Sequence, residues 1–128
     1  MTMKKINLAE KLSGFEEQWT PKIIAESNGQ LVKLAKGSGE LIWHAHKNED
    51  ELFLVVKGKL TIKLRQENSE LEAVELNPGE LFVVPKGVEH CPIAEDDTHF
   101  LMIEPASTEH TGEHKIDVTV AQKNQAWI

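Results

Sequence analysis

Short apolar runs alternate with polar, glycine- or proline-bearing breaks along nearly the whole chain. Within the runs the apolar period is two, which predicts strands and leaves little room for helix. One short helix is expected over Asn7–Leu12, with Asn7 as cap, Glu10 in the capping-box position and Ser13-Gly14 as its end. Trp19-Thr20-Pro21 then imposes an extended entry, because proline disfavours helical backbone in the residue before it. KIIAES and QLVKLAK flank Asn28-Gly29, a strong hairpin signal, with Val32 and Leu34 on one face and Lys33 on the other. Gly37-Ser38-Gly39 is expected to turn the chain into a strand ELIWHAH, with Ile42, His44 and His46 on one face and Leu41, Trp43 and Ala45 on the other.

ELFLVV is apolar in both registers, which predicts a strand covered on both sides, by a second sheet or by a partner chain. Gly58 ends it. KLTIKLR alternates cleanly, with Leu60, Ile62 and Leu64 inward and Lys59, Thr61, Lys63 and Arg65 outward. QENSE reads as a polar loop and LEAVEL as the strand after it. Asn77-Pro78-Gly79 is a turn, LFVV a short buried strand, and Pro85-Lys86-Gly87 the break that follows. HCPIA carries a proline and is expected to be irregular or at an edge; Glu95-Asp96-Asp97 turns the chain into THFLMI, again apolar on both faces. After a polar stretch, IDVTV reads as a last strand. About ten short strands between Gly/Pro turns, with no internal repeat, predict an all-β sandwich or barrel.

The 128 residues suit one domain, and 40% apolar with 27% charged residues is ordinary for a globular protein. A net charge of −7 disfavours nucleic acid and anionic membrane, which need a basic footprint. No apolar run approaches the ~20 residues of a membrane span. Cys91 is the single cysteine, so no intrachain disulfide forms, and MTMKKINLAEKL lacks the apolar core of a signal peptide; the cytoplasm is the expected compartment.

The chemistry concentrates in GELIWHAHKNEDELFLVVKG. His44 and His46 are two positions apart, so on extended backbone both imidazoles reach one point in space. Glu51 follows at the start of ELFLVV, where a turn returns its carboxylate to the same point, and His90 in GVEH is a third imidazole. Glu49 and Asp50 compete with Glu51 and fit a solvated turn better.

These residues resemble the two motifs of the cupins, small β-barrels of the jelly-roll type. The first motif is filled by His44-Ala45-His46, Glu51 after four residues and Gly58 after six more. Its opening glycine is displaced, Ser38 standing between Gly37 and Gly39 at the expected place. The second is filled by Gly79, Pro85-Lys86-Gly87 and His90, with Ala94 where the family has asparagine. The motifs cover residues 37–94 of a single domain spanning 1–128, with a polar extension over 105–128. The resemblance implies a double-stranded β-helix (jelly-roll) barrel with a short amino-terminal helix. It also implies one divalent transition metal held by His44, His46, Glu51 and His90. Three imidazoles and a carboxylate suit Mn, Fe, Co, Ni, Cu or Zn without choosing among them, and an octahedral ion would keep two positions open.

The expected function is that of a metal-dependent enzyme acting on a small polar molecule, as a dioxygenase, isomerase or lyase. The alternative is a non-catalytic module that binds or senses a small molecule or metal. A homodimer is expected from the apolar excess of ELFLVV and THFLMI. No acid or base beyond Glu51 stands out as a candidate at the site, and the chain has no tyrosine. Cys91 is expected to be a buried inert thiol and His99 a satisfied sheet histidine. His110 and His114 read as a solvated loop, Trp43 as packing, and Phe53 and Phe82 as core or pocket wall.

Overall fold

The computed structural model of the protein describes residues 3–108, 111–112 and 125–128. Among them are a helix, α1 (Leu8–Leu12), and the strands β1 (Lys22–Ser27), β2 (Gln30–Glu40), β3 (Glu51–Lys57), β4 (Leu60–Gln66), β5 (Ser69–Glu70), β6 (Val74–Leu76), β7 (Leu81–Val84) and β8 (Glu89–Pro105). The strands pair antiparallel in the order β1-β2-β8-β3-β7, and β4 joins β8 to β5 and β6. The result is the expected all-β jelly-roll barrel with one short helix at its amino-terminal end. IDVTV (116–120), His110 and His114 lie outside the described residues. No helix among the described residues is long and apolar enough to cross a membrane.

The local signals act as their chemistry requires. The Asn7 side chain accepts the Glu10 amide at 3.0 Å, and Asn28 and Gly29 take the positive φ values, 53° and 78°, of a type I′ hairpin between β1 and β2. Period-two alternation sends Leu31 and Ala35 of β2, Phe53 and Val55 of β3, Leu60 and Ile62 of β4, and Phe100 and Met102 of β8 into the barrel. On the outside of β2, β8 and β3, Val32, Leu34, Leu54, Val56, Leu101 and Ile103 pack under Leu8, Leu12 and Phe15. The second apolar face of ELFLVV and THFLMI is therefore covered to this extent by the chain's own amino-terminal segment. Burying these side chains is the main stabilising term available to so small a helix, since five residues cannot hold helical structure by propensity alone.

β8 is the spine of the barrel. HCPIA and THFLMI are not separate strands but parts of this one 17-residue strand. Residues 89–94 pair with β4, and residues 99–103 with β3; β2 lies along residues 98–105 and again at 93–94. The strand bends at Glu95–Asp97, where Asp97 takes φ 58°. Thr98 follows, fully buried, its hydroxyl 2.7 Å from the Glu95 carbonyl and accepting the Lys59 amide at 3.2 Å. Gly58 sits against it: at φ 84°, a Cβ there would lie 2.6 Å from the Thr98 hydroxyl, so no other residue fits.

Other expectations are corrected. Gly37-Ser38-Gly39 is no turn; β2 continues through it with a bulge opposite β8. Gly37 leaves room for the Trp19 ring, which a Cβ would meet at 2.8 Å. ELIWHAH does not continue as a strand beyond Glu40. Residues 41–50 run beside β8 with a single bridge, His44 to His90. Pro92 lies beside this stretch with no N–H to donate; its carbonyl accepts the Leu41 amide at 3.0 Å, and the Ile42 carbonyl accepts from the His44 ring. Within QENSE, Glu67 and Asn68 turn at positive φ and Ser69-Glu70 pairs back as β5; the strand in LEAVEL shrinks to β6. LFVV is half-exposed, with Leu81 and Val83 facing out at the sheet edge and Val84 buried.

Candidate metal centre

Four strand and loop positions aim donors at one point inside the barrel. Glu51 opens β3 on its inward register and is 1% exposed; His90 is on the inward register of β8, fully buried. His44 is held against His90 by reciprocal backbone bonds of 2.9 and 2.8 Å. The His46 carbonyl accepts the Gly87 amide at 2.8 Å, and Asp50 accepts the Lys86 amide at 2.8 Å, so the P-K-G turn is tied to the H-x-H segment from both ends. The four expected ligands thus come together: one donor atom from each of His44, His46, Glu51 and His90 lies within 4.8 Å of the others. Asp50 stays exposed, as expected, although it has a structural task there; Glu49 is half-buried and accepts the Ser107 hydroxyl at 3.4 Å.

The hydrogen bonds settle which nitrogens face the centre. His44 Nδ1 is 2.9 Å from the Ile42 carbonyl and His90 Nδ1 is 3.0 Å from the Val88 carbonyl; each must donate, so the lone pair is left on Nε2. His46 Nε2 and His90 Nε2 lie 3.3 and 3.4 Å from the two Glu51 oxygens. Both ring nitrogens of His46, Nε2 of His90 and Oε2 of Glu51 are buried with no hydrogen-bond partner among the described residues. Buried polar atoms are rarely left so. A divalent cation at the shared point would satisfy His46 Nε2, His90 Nε2 and Glu51 Oε2 together, and the N3O donor set has the right chemistry for it. The residues present therefore fit a metal ion.

Protonation divides the cluster. Burial, reinforced by neighbouring His90, pushes His44 down to about 3, so it is neutral at physiological pH. Burial also pulls His46 down, but the adjoining Glu51 carboxylate outweighs it and the pKa rises. For Glu51 burial opposes the charge, yet Glu104, His46 and His90 around it hold it well below the usual carboxylate range.

Two residues of this neighbourhood are missed by sequence reasoning. Lys33 and Glu104 are buried inside the barrel, and the Lys33 ammonium donates to Glu104 Oε1. Burial, and then the charge of Glu51, push the Glu104 carboxyl well above its ordinary value. The expectation that no further acid or base stands near Glu51 is thereby overturned. The available signal was phase: Glu104 falls in register with inward Phe100 and Met102, and Lys33 with Leu31 and Ala35.

A small cavity of ≈ 20 Å³ reaches the site between Trp19, Leu41, Phe53 and Phe100, with His44 and Glu51 as polar groups on its wall. Phe53 serves as both core and wall, whereas Phe82 only packs on the core. Cys91 is fully buried, donates to Glu40 Oε1 at 3.3 Å, and is pushed up to about 12 by burial, as an inert thiol should be. His99 is satisfied by Asp97 at 2.7 Å. Trp43 lies under the Arg65 guanidinium, 4.3 Å from its ring centroid, away from the ligands.

The family model of the cupin domain matches residues 30–104. YdbB of Bacillus subtilis (strain 168), an uncharacterized protein, is 33% identical over 87 residues, 68% of this chain and 74% of its own length. Among solved structures, a cupin-2 domain containing protein of Shewanella frigidimarina is 40% identical with TM-score 0.69, over 78% of this chain and 93% of that one. Protein NMB1881 of Neisseria meningitidis is 30% identical with TM-score 0.69, over 80% and 99%.

The His44 shift has a sign that can be measured in metal-free protein. Between its folded value of about 3 and its ordinary 6.5, the unfolded chain binds the extra proton, so stability falls as pH drops. His46 has the opposite sign: its contribution is present below its ordinary value of 6.5 and is lost as pH rises through its higher folded value. From pH 6.5 to 5, above the carboxylate range, the wild type should lose about 1.5 kcal/mol more than His44→Asn in urea denaturation with a chelator present. Equal losses would show that His44 is not held neutral.

Proposed function

The chain belongs to the cupin family, and on that footing we propose that it is a metal-dependent enzyme of a small polar molecule, with His44, His46, Glu51 and His90 as the ligands of one divalent transition ion. One observation carries the reading: buried donor atoms converge on one point and lack hydrogen-bond partners among the described residues. When bound, the ion supplies Lewis acidity and coordination positions left open by four protein ligands. The residues of this chain supply the rest. The backbone carbonyls of Ile42 and Val88 fix the tautomers of His44 and His90. Trp19, Phe53 and Phe100 give the small cavity beside His44 and Glu51 an apolar wall. We further propose a homodimer, supported by Leu81 and Val83, which are 57% and 41% exposed on the edge strand β7.

Protein loaded with Fe, Mn, Ni or Zn should deplete at least one small polar metabolite from a cell extract under air, and His90→Ala carried through the same loading should deplete none. If no loaded form consumes anything, yet wild type retains a metabolite through dialysis, the site is a binding module and the enzyme reading fails. Light scattering of the same preparation should return twice the chain mass; the monomer mass would contradict the dimer.

A further inference from the structure

Lys33 and Glu104 are an expensive pair to place inside a barrel. Each is 1% exposed or less, in the same interior as the Phe53, Phe100 and Met102 side chains. Withdrawing an ammonium and a carboxylate from water costs several kcal/mol per ion, and replacing such pairs with apolar residues is often neutral or stabilising. Stability alone is a poor reason for them.

Their place in the sheet gives a better one. Leu31 of β2 pairs with Glu104 of β8, and Lys33 is two residues along on the same inward face, so its ammonium reaches Glu104 diagonally. On the other side of β8, Leu52 of β3 pairs with Ile103. One step further along that register sets Glu51 opposite Glu104. Glu104 and the candidate metal ligand therefore stand side by side on neighbouring strands, and Lys33 reaches Glu104 from the next inward position of β2. Glu104 Oε1 accepts from Lys33, whereas its Oε2 is buried with no hydrogen-bond partner among the described residues. Glu104 is outside the group of four converging donors, so it stands behind Glu51 and does not compete for the ion.

We propose that Lys33 and Glu104 are positioning residues for the metal centre: the lysine fixes the Glu104 carboxyl on the flank of Glu51, and Glu104, packed beside it across β8 and β3, limits the Glu51 side chain to its metal-facing orientation. The inference rests on the metal reading of His44, His46, Glu51 and His90 and adds the supports behind one ligand. It explains why charged residues occupy the row of the interior that touches the ligand strand. Partners behind metal ligands typically contribute 10–100-fold to metal affinity.

Cobalt(II) is the probe, because its visible d–d bands report ligand geometry without any assay of activity. Three proteins are titrated: wild type, Glu104→Ala, and the double variant Lys33→Met/Glu104→Leu. The double variant replaces both charged groups with apolar side chains of similar volume, so it should melt no lower than wild type. The positioning role predicts that it nevertheless binds cobalt(II) 10–100-fold more weakly, with shifted bands, and that Glu104→Ala does the same. A double variant that folds and binds with wild-type affinity and an unchanged spectrum would overturn the proposal, leaving the pair merely structural. Should the double variant fail to fold, the spectrum of Glu104→Ala decides by the same criterion. Wild type that takes up no cobalt(II) would instead refute the metal site itself, an outcome distinct from loss in the variants alone.

Discussion

Three imidazoles and a carboxylate share the interior of a barrel that has little water to offer them. His44, His46, Glu51 and His90 are each 4% exposed or less, and several of their donor atoms have no protein partner among the described residues. Burying polar groups in this way is unfavourable unless something satisfies them. The cluster satisfies itself only in part: Nδ1 of neutral His90 donates to the Val88 carbonyl, so its Nε2 turns a lone pair toward Glu51 Oε1 at 3.4 Å, one acceptor facing another. A cation at the shared point would resolve the conflict. The rest of the structure holds the four groups together.

The holding is done by strands and not by local loop chemistry. β8 carries His90 and Glu104, bends at Asp97, and so borders β2, β3 and β4. β3 carries Glu51 beside it. The H-x-H segment is the least regular part of the site, yet it is pinned to β8 by the His44–His90 backbone pair and to the P-K-G turn by Gly87. Within this segment the Ile42 carbonyl orients the His44 ring. The amino-terminal segment contributes twice. α1 covers the outside of the sheet, and Trp19 walls the cavity over Gly37.

The site was legible in the sequence because its spacing is short and its residue types are rare in strands: H-x-H, a carboxylate, and a histidine after P-x-G point to one chemistry. The barrel was legible from period-two alternation and from Asn28-Gly29 and Gly58. Less could be read where two explanations share one pattern. Apolar character on both faces of ELFLVV suggested a second sheet or a partner chain, and the answer for Leu54 and Val56 is a five-residue helix with Phe15 behind it. Nothing local marks Lys33 as inward, since a lone lysine in an alternating strand is usually solvated; only Glu104, 71 residues away, gives it a reason to face inward. No local window contains that pairing. The continuity of β8 through Glu95-Asp96-Asp97 was hidden for a similar reason, since the turn-like composition says nothing about partners on either side.

The central claim is that the buried donors are a metal site, and the metal content of the protein itself tests it most directly. Untagged protein purified without added metal, measured by elemental analysis, should carry close to one transition-metal ion per chain, and His46→Ala should carry almost none while keeping the wild-type circular dichroism spectrum. Wild type with no transition metal, and none taken up on reconstitution, would contradict the account.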